Sequence, residues 1–502
     1  MSGEAVMLGG TLTAQTSSVL EWFPAGRWAV AVVAIDITLR TLFACLVVVR
    51  KGSRPSVAMA WLLVVIAFPF VGILIYLLLG ESRLGSRRRR IHAQVIEEMD
   101  RAEFHRHEDP RAHHLSLGPG EAQVERLARL VSRSPVLSGN SVDVVGHPDK
   151  TVEAMLADID RAQSTVHLTT YIWLDDRVGS AFESALLAAA QRGVCCRVLA
   201  DGHGSSGFLA SDSCRRLRAG GVKVVAALPT AVLRALVHRI DIRNHRKLLI
   251  VDGLIGWIGS MNIAAPEFAL QPRFAPWVDC MMRMHGPATR ELQLIFAEDW
   301  LLDTGENLES LLRAPPPFQE QGIPVQVMAS GPNFNNDAVR SLLIATLQVA
   351  RREIVMTTPY FVPDPEMFGS LCVAARRGVV THLVIPRRNN SRLVACASRA
   401  RYRAMLDAGM RIHEFTGGLL HAKTITVDGS FAVITSSNLD RRSFEINFEA
   451  SAIVYDARFA AKVRDIQQSY VDRSAEVVSA EWMPTLRQQL VNNAAALLSP
   501  LL

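Results

Sequence analysis

Two stretches of this 502-residue chain carry the same reactive residue types at the same intervals. The first runs Asn244-His245-Arg246-Lys247, reaches Asp252-Gly253, and continues to Gly259-Ser260-Met261-Asn262. The second runs His421-Ala422-Lys423, reaches Asp428-Gly429, and continues to Thr435-Ser436-Ser437-Asn438. Both read H-x-K-x4-D-x6-[GT]-S-x-N. One such match arises easily by chance; two in register over eighteen positions do not. Each copy offers a titratable imidazole, a fixed cation and an amide donor. Two copies around one cleft suit a phosphodiester. The cations and amides would hold the non-bridging oxygens, one imidazole would attack phosphorus, and the other would protonate the leaving alcohol.

The surrounding pattern must bring the two copies together. In a strand, residues i and i+2 share a face, so His245 projects with Lys247 and His421 with Lys423. Asp252-Gly253 and Asp428-Gly429 then read as hairpin turns. A following strand returns Ser260 and Asn262, or Ser436 and Asn438, toward the histidine. Upstream, Val166-His-Leu-Thr-Thr-Tyr171 resembles Ile354-Val-Met-Thr-Thr-Pro-Tyr360. Each leads into an amphipathic segment closing on Arg192-Gly193-Val194 or Arg377-Gly378-Val379, then a second apolar run. These are strand–helix–strand units, repeated. The expected fold is therefore α/β: two similar halves, 121–314 and 315–502, each a mixed sheet flanked by helices, with the motifs at their seam. Arg313-Ala-Pro-Pro-Pro-Phe318 marks the boundary. Tyr171, Trp173, Tyr360 and Phe361, after the first strand of each half, are candidates to line the cleft or to fill the core.

Before residue 121 the character changes. Residues 28–49 are almost wholly apolar and 57–79 carry no charge, each long enough for one membrane helix. Arg50-Lys51-Gly52-Ser53-Arg54-Pro55-Ser56 separates them, so 28–80 reads as a transmembrane helical hairpin after a tail at 1–27. The first 20 residues lack a basic region, which argues against a signal peptide. Asp36 and Arg40, at i, i+4 spacing inside the first span, can pair on one helix face. Pro69 should kink the second, and a re-entrant hairpin is the other reading. Three basic residues sit at the tip and six on the other side (Arg27, Arg83, Arg87 to Arg90), which places the C-terminal region in the cytoplasm. Residues 81–120 form a basic linker, whose His105, His107, His113 and His114 have neither Cys nor zinc-like spacing.

Composition narrows the rest. The chain is 49% hydrophobic and 20% charged, with a mean hydropathy of +0.18. That excludes a disordered chain. Seven scattered cysteines exclude a disulfide framework. The 54 basic residues are 48 Arg and only 6 Lys, yet two of those lysines fall inside the motifs.

At the paired H-x-K-x4-D motifs the chain resembles the phospholipase D superfamily, and more narrowly the bacterial cardiolipin synthases. Arg54-Pro55, Trp61, Pro69, Gly72 and Tyr76-Leu-Leu-Leu-Gly80 are similar to that family's membrane segment. Asn438-Leu-Asp-Arg-Arg-Ser-Phe-Glu-Ile-Asn-Phe-Glu449 and the closing Ser499-Pro-Leu-Leu502 are like its later stretches. The resemblance implies phosphatidyl transfer through a phosphohistidine, with no metal and no other cofactor. One phosphatidylglycerol would donate, releasing glycerol, and a second would accept, giving cardiolipin at the bacterial inner membrane. His245, Lys247, Asp252, His421, Lys423 and Asp428 would form the catalytic set. His245 would be the nucleophile by family tendency. Ser260, Asn262, Ser436 and Asn438 would bind substrate, and Asp279 and Glu449 would orient the histidines. Asp252 and Asp428, though inside the motifs, suit a turn-fixing role better than proton transfer. Thr435 stands where many members have Gly, and Ala264-Ala265-Pro266-Glu267 replaces a more acidic stretch. The competing readings are a phospholipase D-type hydrolase, a membrane-tethered nuclease, and a non-catalytic lipid scaffold. Aromatic content of 7% offers no stacking platform for nucleic acid, so no such partner is expected. A scaffold would normally have lost a histidine or lysine.

Overall fold

The structure is a computed structural model. It describes residues 24–49, 55–68, 70–79, 90–91, 93–94, 116–229, 241–268, 270–312, 318–332 and 337–498. The hairpin tip at 50–54, most of the basic linker with its four histidines, the boundary prolines and Ser499 to Leu502 lie outside these residues. The chain divides into two units, Met1–Glu81 and Ser82–Leu502.

In the smaller unit, a helix spans Pro24–Val49, and its Val30–Val49 stretch is long and apolar enough to cross a membrane. Two shorter helices follow, Pro55–Ala67 and Val71–Leu79, in place of the single span expected over 57–79. The interruption falls between Phe68 and Phe70; the sequence has a proline between them, a residue with no N–H for a helical ladder, and its placement lies outside the described residues. Helical bonding resumes with Gly72 N–H to Phe68 O and Leu74 N–H to Phe70 O. The expected Asp36–Arg40 ion pair forms, and Arg40 Nη1 also donates to Ile66 O at 2.7 Å, beside the break.

In the larger unit the short apolar runs are strands. They are β1 (Val136–Val145), β2 (Thr165–Thr170), β3 (Cys195–Asp201), β4 (Lys223–Ala227), β5 (Leu248–Val251), β6 (Ile255–Gly259), β7 (Trp277–Val278) and β8 (Met281–His285). Next come β9 (Ile323–Ser330), β10 (Glu353–Thr357), β11 (Phe361–Val362), β12 (Val380–Pro386) and β13 (Arg411–Phe415). The last are β14 (Leu419–Leu420), β15 (Thr424–Val427), β16 (Phe431–Thr435), β17 (Leu439–Asp440), β18 (Glu449–Val454) and β19 (Ser474–Glu476). Among the described residues, fifteen of these form one mixed sheet in the order β4-β3-β2-β5-β6-β8-β1-β9-β18-β16-β15-β10-β12-β13-β19.

The middle of that sheet is the antiparallel β1–β9 pair, with Leu137 opposite Val325. Outward on one side run β8, β6 and β5, all antiparallel, then β2, β3 and β4, mutually parallel. Outward on the other run β18, β16 and β15, antiparallel, then β10, β12 and β13, parallel. The parallel strands require crossovers, and helices Arg177–Gln191 and Pro365–Arg376 supply them. Asp176 and Asp364 cap these helices by accepting N–H bonds from their first turns. Gly193 and Gly378, both at φ 89°, end them in the left-handed conformation that glycine tolerates.

Helices cover both faces of the sheet. One buried layer packs Phe296 and Trp300, from helix Thr289–Thr304, against Ile250 and Ile258 on one side of the middle and Ile434 and Ala452 on the other. The core is thus continuous across the β1–β9 pair. Trp173 stacks on Phe208 at 4.4 Å, and Phe361 is buried beneath helix Pro365–Arg376, so both are core residues and not cleft residues.

Candidate active site

His245 and Lys247 lie in extended chain just before β5, and His421 and Lys423 just before β15. The pair thus precedes the strand, where the sequence placed it within one. The reason is local. His245 N–H bonds to Phe448 O at 2.9 Å, and His421 N–H bonds to Val278 O at 2.7 Å. Both segments therefore pair across the middle of the molecule before they enter their own hairpins. A parallel bridge joins Asn244 to Phe448, and β14 pairs in parallel with β7.

The orienting acids are exchanged. Asp279, just after β7, accepts from His421 Nδ1 at 2.6 Å. Glu449, which opens β18, lies 3.0 Å from His245 Nδ1 through each of its oxygens. Each motif's downstream acid thus holds the imidazole of the other motif. The serines follow their acids: Ser260 Oγ donates to Asp279 Oδ1 at 2.7 Å, and Ser436 Oγ donates to Glu449 Oε2. Each hydroxyl also accepts a main-chain N–H, from Cys280 or Ala450. With donor and acceptor committed, Ser260 and Ser436 brace the acids.

All four histidine–acid partners are buried. A carboxylate at Nδ1 fixes the proton there and leaves Nε2 as the reactive nitrogen. Burial lowers the pKa of both imidazoles, and the lysine charges lower it further. Lys423 acts on His245 and Lys247 on His421, so the two motifs share one electrostatic field. Burial pushes the carboxyls upward, but the facing histidine and lysine charges and the serine hydroxyl outweigh it and hold both below their ordinary values. The resting state is neutral imidazole beside ionised carboxylate.

The lysines are buried as deeply, and each Nζ donates to the carbonyl of its own histidine, at 2.6 Å for Lys247 and 2.7 Å for Lys423. Among the described residues neither ammonium has a carboxylate within 4.0 Å. Burial brings Lys247 down to about 7 and Lys423 to about 8. Asn262 and Asn438 are also buried; Asn262 Oδ1 accepts from Ile172 N–H, and among the described residues Asn438 Oδ1 has no hydrogen-bond partner. Tyr171 meets the His245 ring edge-on at 5.1 Å and the Lys247 ammonium at 5.3 Å. Trp277 lies 4.8 Å from the His421 ring.

Asp252 and Asp428 are not brought to this centre. They sit at the far ends of β5 and β15, in turns with φ of 55° and 53°. Asp252 accepts from the N–H groups of Gln163, Ser164 and Thr165, and Asp428 from those of Arg351, Arg352 and Glu353. Each pins the start of the neighbouring antiparallel strand, β2 or β10. Burial raises Asp252, but those amides outweigh it and leave the carboxyl below its usual range. Asn keeps the left-handed turn but loses the charge, so Asp252→Asn should cost about 1–3 kcal/mol of stability. Turnover should stay within about tenfold, because nothing near the imidazoles moves. Thermal melting and initial rates check this; full stability with heavy activity loss would contradict it.

Sequence reasoning did not single out Arg246, the middle residue of the first motif. Its side chain is fully buried and pairs with Asp299 at 2.6 Å. Nε donates to Glu449 O at 3.1 Å and Nη2 to Ser330 O at 3.2 Å. Asp299 also accepts from Asn244 Nδ2 at 2.9 Å. Arg246 therefore holds the backbone of the residue that orients His245. The second motif has Ala422 in that position, so the two histidines are braced by different chemistry. The signal was present: a charged residue at a position that strand pairing buries. Among the described residues, no group of three or more His, Cys, Asp or Glu side chains is placed to hold a metal ion.

The sequence model described as cardiolipin synthase, PLD-like domain, matches residues 155–300 and 343–470. One described as phospholipase D-nuclease N-terminal matches residues 41–81. Cardiolipin synthase A of Yersinia pseudotuberculosis serotype O:1b (strain IP 31758) is 34% identical over 483 residues, 93% of this chain and 95% of that protein. Cardiolipin synthase A of Edwardsiella ictaluri (strain 93-146) is 34% identical over 495 residues, 97% of this chain and 99% of that protein. In fold, the chain is similar to the crystal structure of phosphatidylserine synthase from Haemophilus influenzae Rd KW20, with a TM-score of 0.57 at 13% identity, over 76% of this chain and 98% of that one. Two exchanged histidine–acid pairs, two buried lysines and near full-length kinship point one way: the chain belongs to the cardiolipin synthase family of the phospholipase D superfamily.

Proposed function

We propose that this chain is a phosphatidyltransferase that makes cardiolipin and glycerol from two phosphatidylglycerol molecules. The observation that carries this is the buried centre of two acid-braced imidazoles and two ammonium groups with no carboxylate at ion-pairing distance. A phosphodiester anion completes that charge set. Lys247, Lys423 and the amides of Asn262 and Asn438 hold its non-bridging oxygens.

His245 is the nucleophile in this reading. Glu449 grips it through both oxygens and Arg246 fixes the backbone of Glu449, which suits the group whose aim matters most. Nε2 of His245 attacks phosphorus, and the bond from phosphorus to the glycerol oxygen breaks. His421 delivers a proton to that oxygen, and glycerol leaves. Burial and the lysine charges hold His421 neutral at rest; the incoming phosphodiester anion offsets them, so His421 takes a proton from solvent as the lipid binds and carries it to the leaving oxygen. In the second step His421 takes the proton from the terminal hydroxyl of another phosphatidylglycerol. That oxygen attacks phosphorus, the phosphorus–nitrogen bond breaks, His245 returns to its neutral form, and His421 regains the proton it carried when the lipid bound.

The finer organisation follows the same reading. The catalytic region comprises two phospholipase D-like halves, 121–314 and 315–502, supported by the matching strand order on either side of β1–β9. Residues 28–80 form a two-pass membrane hairpin, with the basic excess on the C-terminal side keeping the catalytic region cytoplasmic.

The test is the full chain in liposomes with labelled phosphatidylglycerol and no added metal, its products resolved by chromatography. Cardiolipin with glycerol is expected. Phosphatidic acid without cardiolipin would make the protein a hydrolase.

A further inference from the structure

The last helix, Leu486–Leu497, is turned inside out. Its buried residues are Asn492 and Ala495, while Leu486 is 72%, Leu490 63% and Leu497 81% exposed. At about 100° per residue, the three leucines fall within about 40° of arc, opposite the buried side. Met483, just before the helix, is also exposed. A helix that served only to close the domain would face its leucines inward.

The helix sits at the catalytic end of the sheet. Its Ala495 packs with Val362 and Ala397, the latter on helix Arg392–Arg399. That helix follows β12, whose exit is tied to the exit of β10: Asn389 Nδ2 donates to Pro359 O, and Tyr360 Oη donates to Asn390 Oδ1. Thr357, the last residue of β10, donates to Ala422 O, between His421 and Lys423. The leucine face is thus displayed at the end of the sheet where the second histidine stands.

The charge around it is mainly basic: Arg387 and Arg399 face Glu414 and Arg403 pairs with Asp407, whereas among the described residues Arg388, Arg392 and Arg487 have no carboxylate within 4.0 Å. Residues 386–406 contain six arginines and no acid, and residues 485–498 one arginine and no acid. Arg388, Arg392 and Arg487 are exposed. Leucines on one face flanked by arginines are the chemistry of an interfacial helix that enters the headgroup layer of anionic phospholipids.

We propose that helix Leu486–Leu497 docks on the surface of an anionic phospholipid bilayer and holds the catalytic end of the sheet against the lipid. The proposal rests on the phosphatidyl-transfer reading for its purpose, and on the exposed leucines and arginines for its partner.

The experiment uses the full chain in phosphatidylglycerol vesicles whose acyl chains carry bromine. In Leu490→Trp, the emission added over the parent should be blue-shifted and at least about half quenched by bromolipid. The triple variant Leu486→Ser, Leu490→Ser, Leu497→Ser should turn over vesicle phosphatidylglycerol about tenfold more slowly, through a higher apparent KM. Its rate on detergent-dispersed phosphatidylglycerol should stay within about twofold, and its melting temperature should be unchanged. An unquenched added indole overturns the proposal, as does equal loss on vesicles and dispersed lipid. Loss of an oligomer in the triple variant, with no quenching, would assign the face to a second copy of the chain. Quenching of the added indole in Leu490→Trp, with no lipid turnover by the parent, would uphold the docking and sink the transferase reading.

Discussion

Replacing His421 by Ala should lower cardiolipin formation by about four orders of magnitude or more, and His245→Ala should do the same. The losses should be equal because the histidines act in one sequence on one phosphorus. The folds should survive, since each imidazole touches its partner acid and little else that the core needs. What should separate the two variants is the leaving group. A general acid matters only when the departing oxygen needs a proton. Offered a phosphatidyl ester of 4-nitrophenol, which leaves as a stable anion, His421→Ala should recover the first step. His245→Ala should not, because no change of leaving group supplies a nucleophile. Chromogenic release measured beside cardiolipin formation reads both effects.

The second large effect falls on a residue that touches no substrate. Arg246→Ala should cost about 3–5 kcal/mol of stability, because it strands the buried Asp299 carboxylate without a counter-charge. Removing both charges is a different case. Arg246→Met with Asp299→Leu should lose only about 1–2 kcal/mol, mostly because the Asn244 amide no longer has its acceptor. Stability then returns, but Glu449 O has lost its donor. Activity should therefore stay about 10- to 100-fold down in a folded protein, as expected when a group orienting the nucleophile shifts slightly. Denaturant unfolding beside kcat separates the two. Full activity in the stable double variant would show that Arg246 matters only for folding.

Much of this was legible in the residues. The repeated motif singled out both histidines and both lysines, the Asp-Gly pairs gave the turns, and the resemblance to the phospholipase D superfamily pointed to Asp279 and Glu449 as the acids beside the histidines. Pro69 foretold the break in the second apolar stretch. These are local signals, carried by a handful of neighbouring positions. The exchange of acids was not legible, because Asp279 reaches His421 across 142 residues and Glu449 reaches His245 across 204. Nothing in either motif states which copy its acid will serve. The bonds of Ser260 and Ser436 to the acids were not legible for the same reason: their partners come from a strand pairing that spacing alone does not fix. The H-x-K pairs were placed inside strands because alternation fits them, whereas cross-molecule bonds to Phe448 and Val278 take them first. Trp173 and Phe361 could not be told from cleft residues until helices were seen to cover them.

The most direct test of the central claim is a mass measurement. His421→Ala, mixed with the 4-nitrophenyl phosphatidyl ester and quenched in base, would be digested and its peptides weighed. The account predicts a burst of nitrophenol matching the amount of enzyme, and a phosphatidyl group on the peptide containing His245. Turnover with no adduct, or an adduct on His421 in the reciprocal His245→Ala protein, would contradict it.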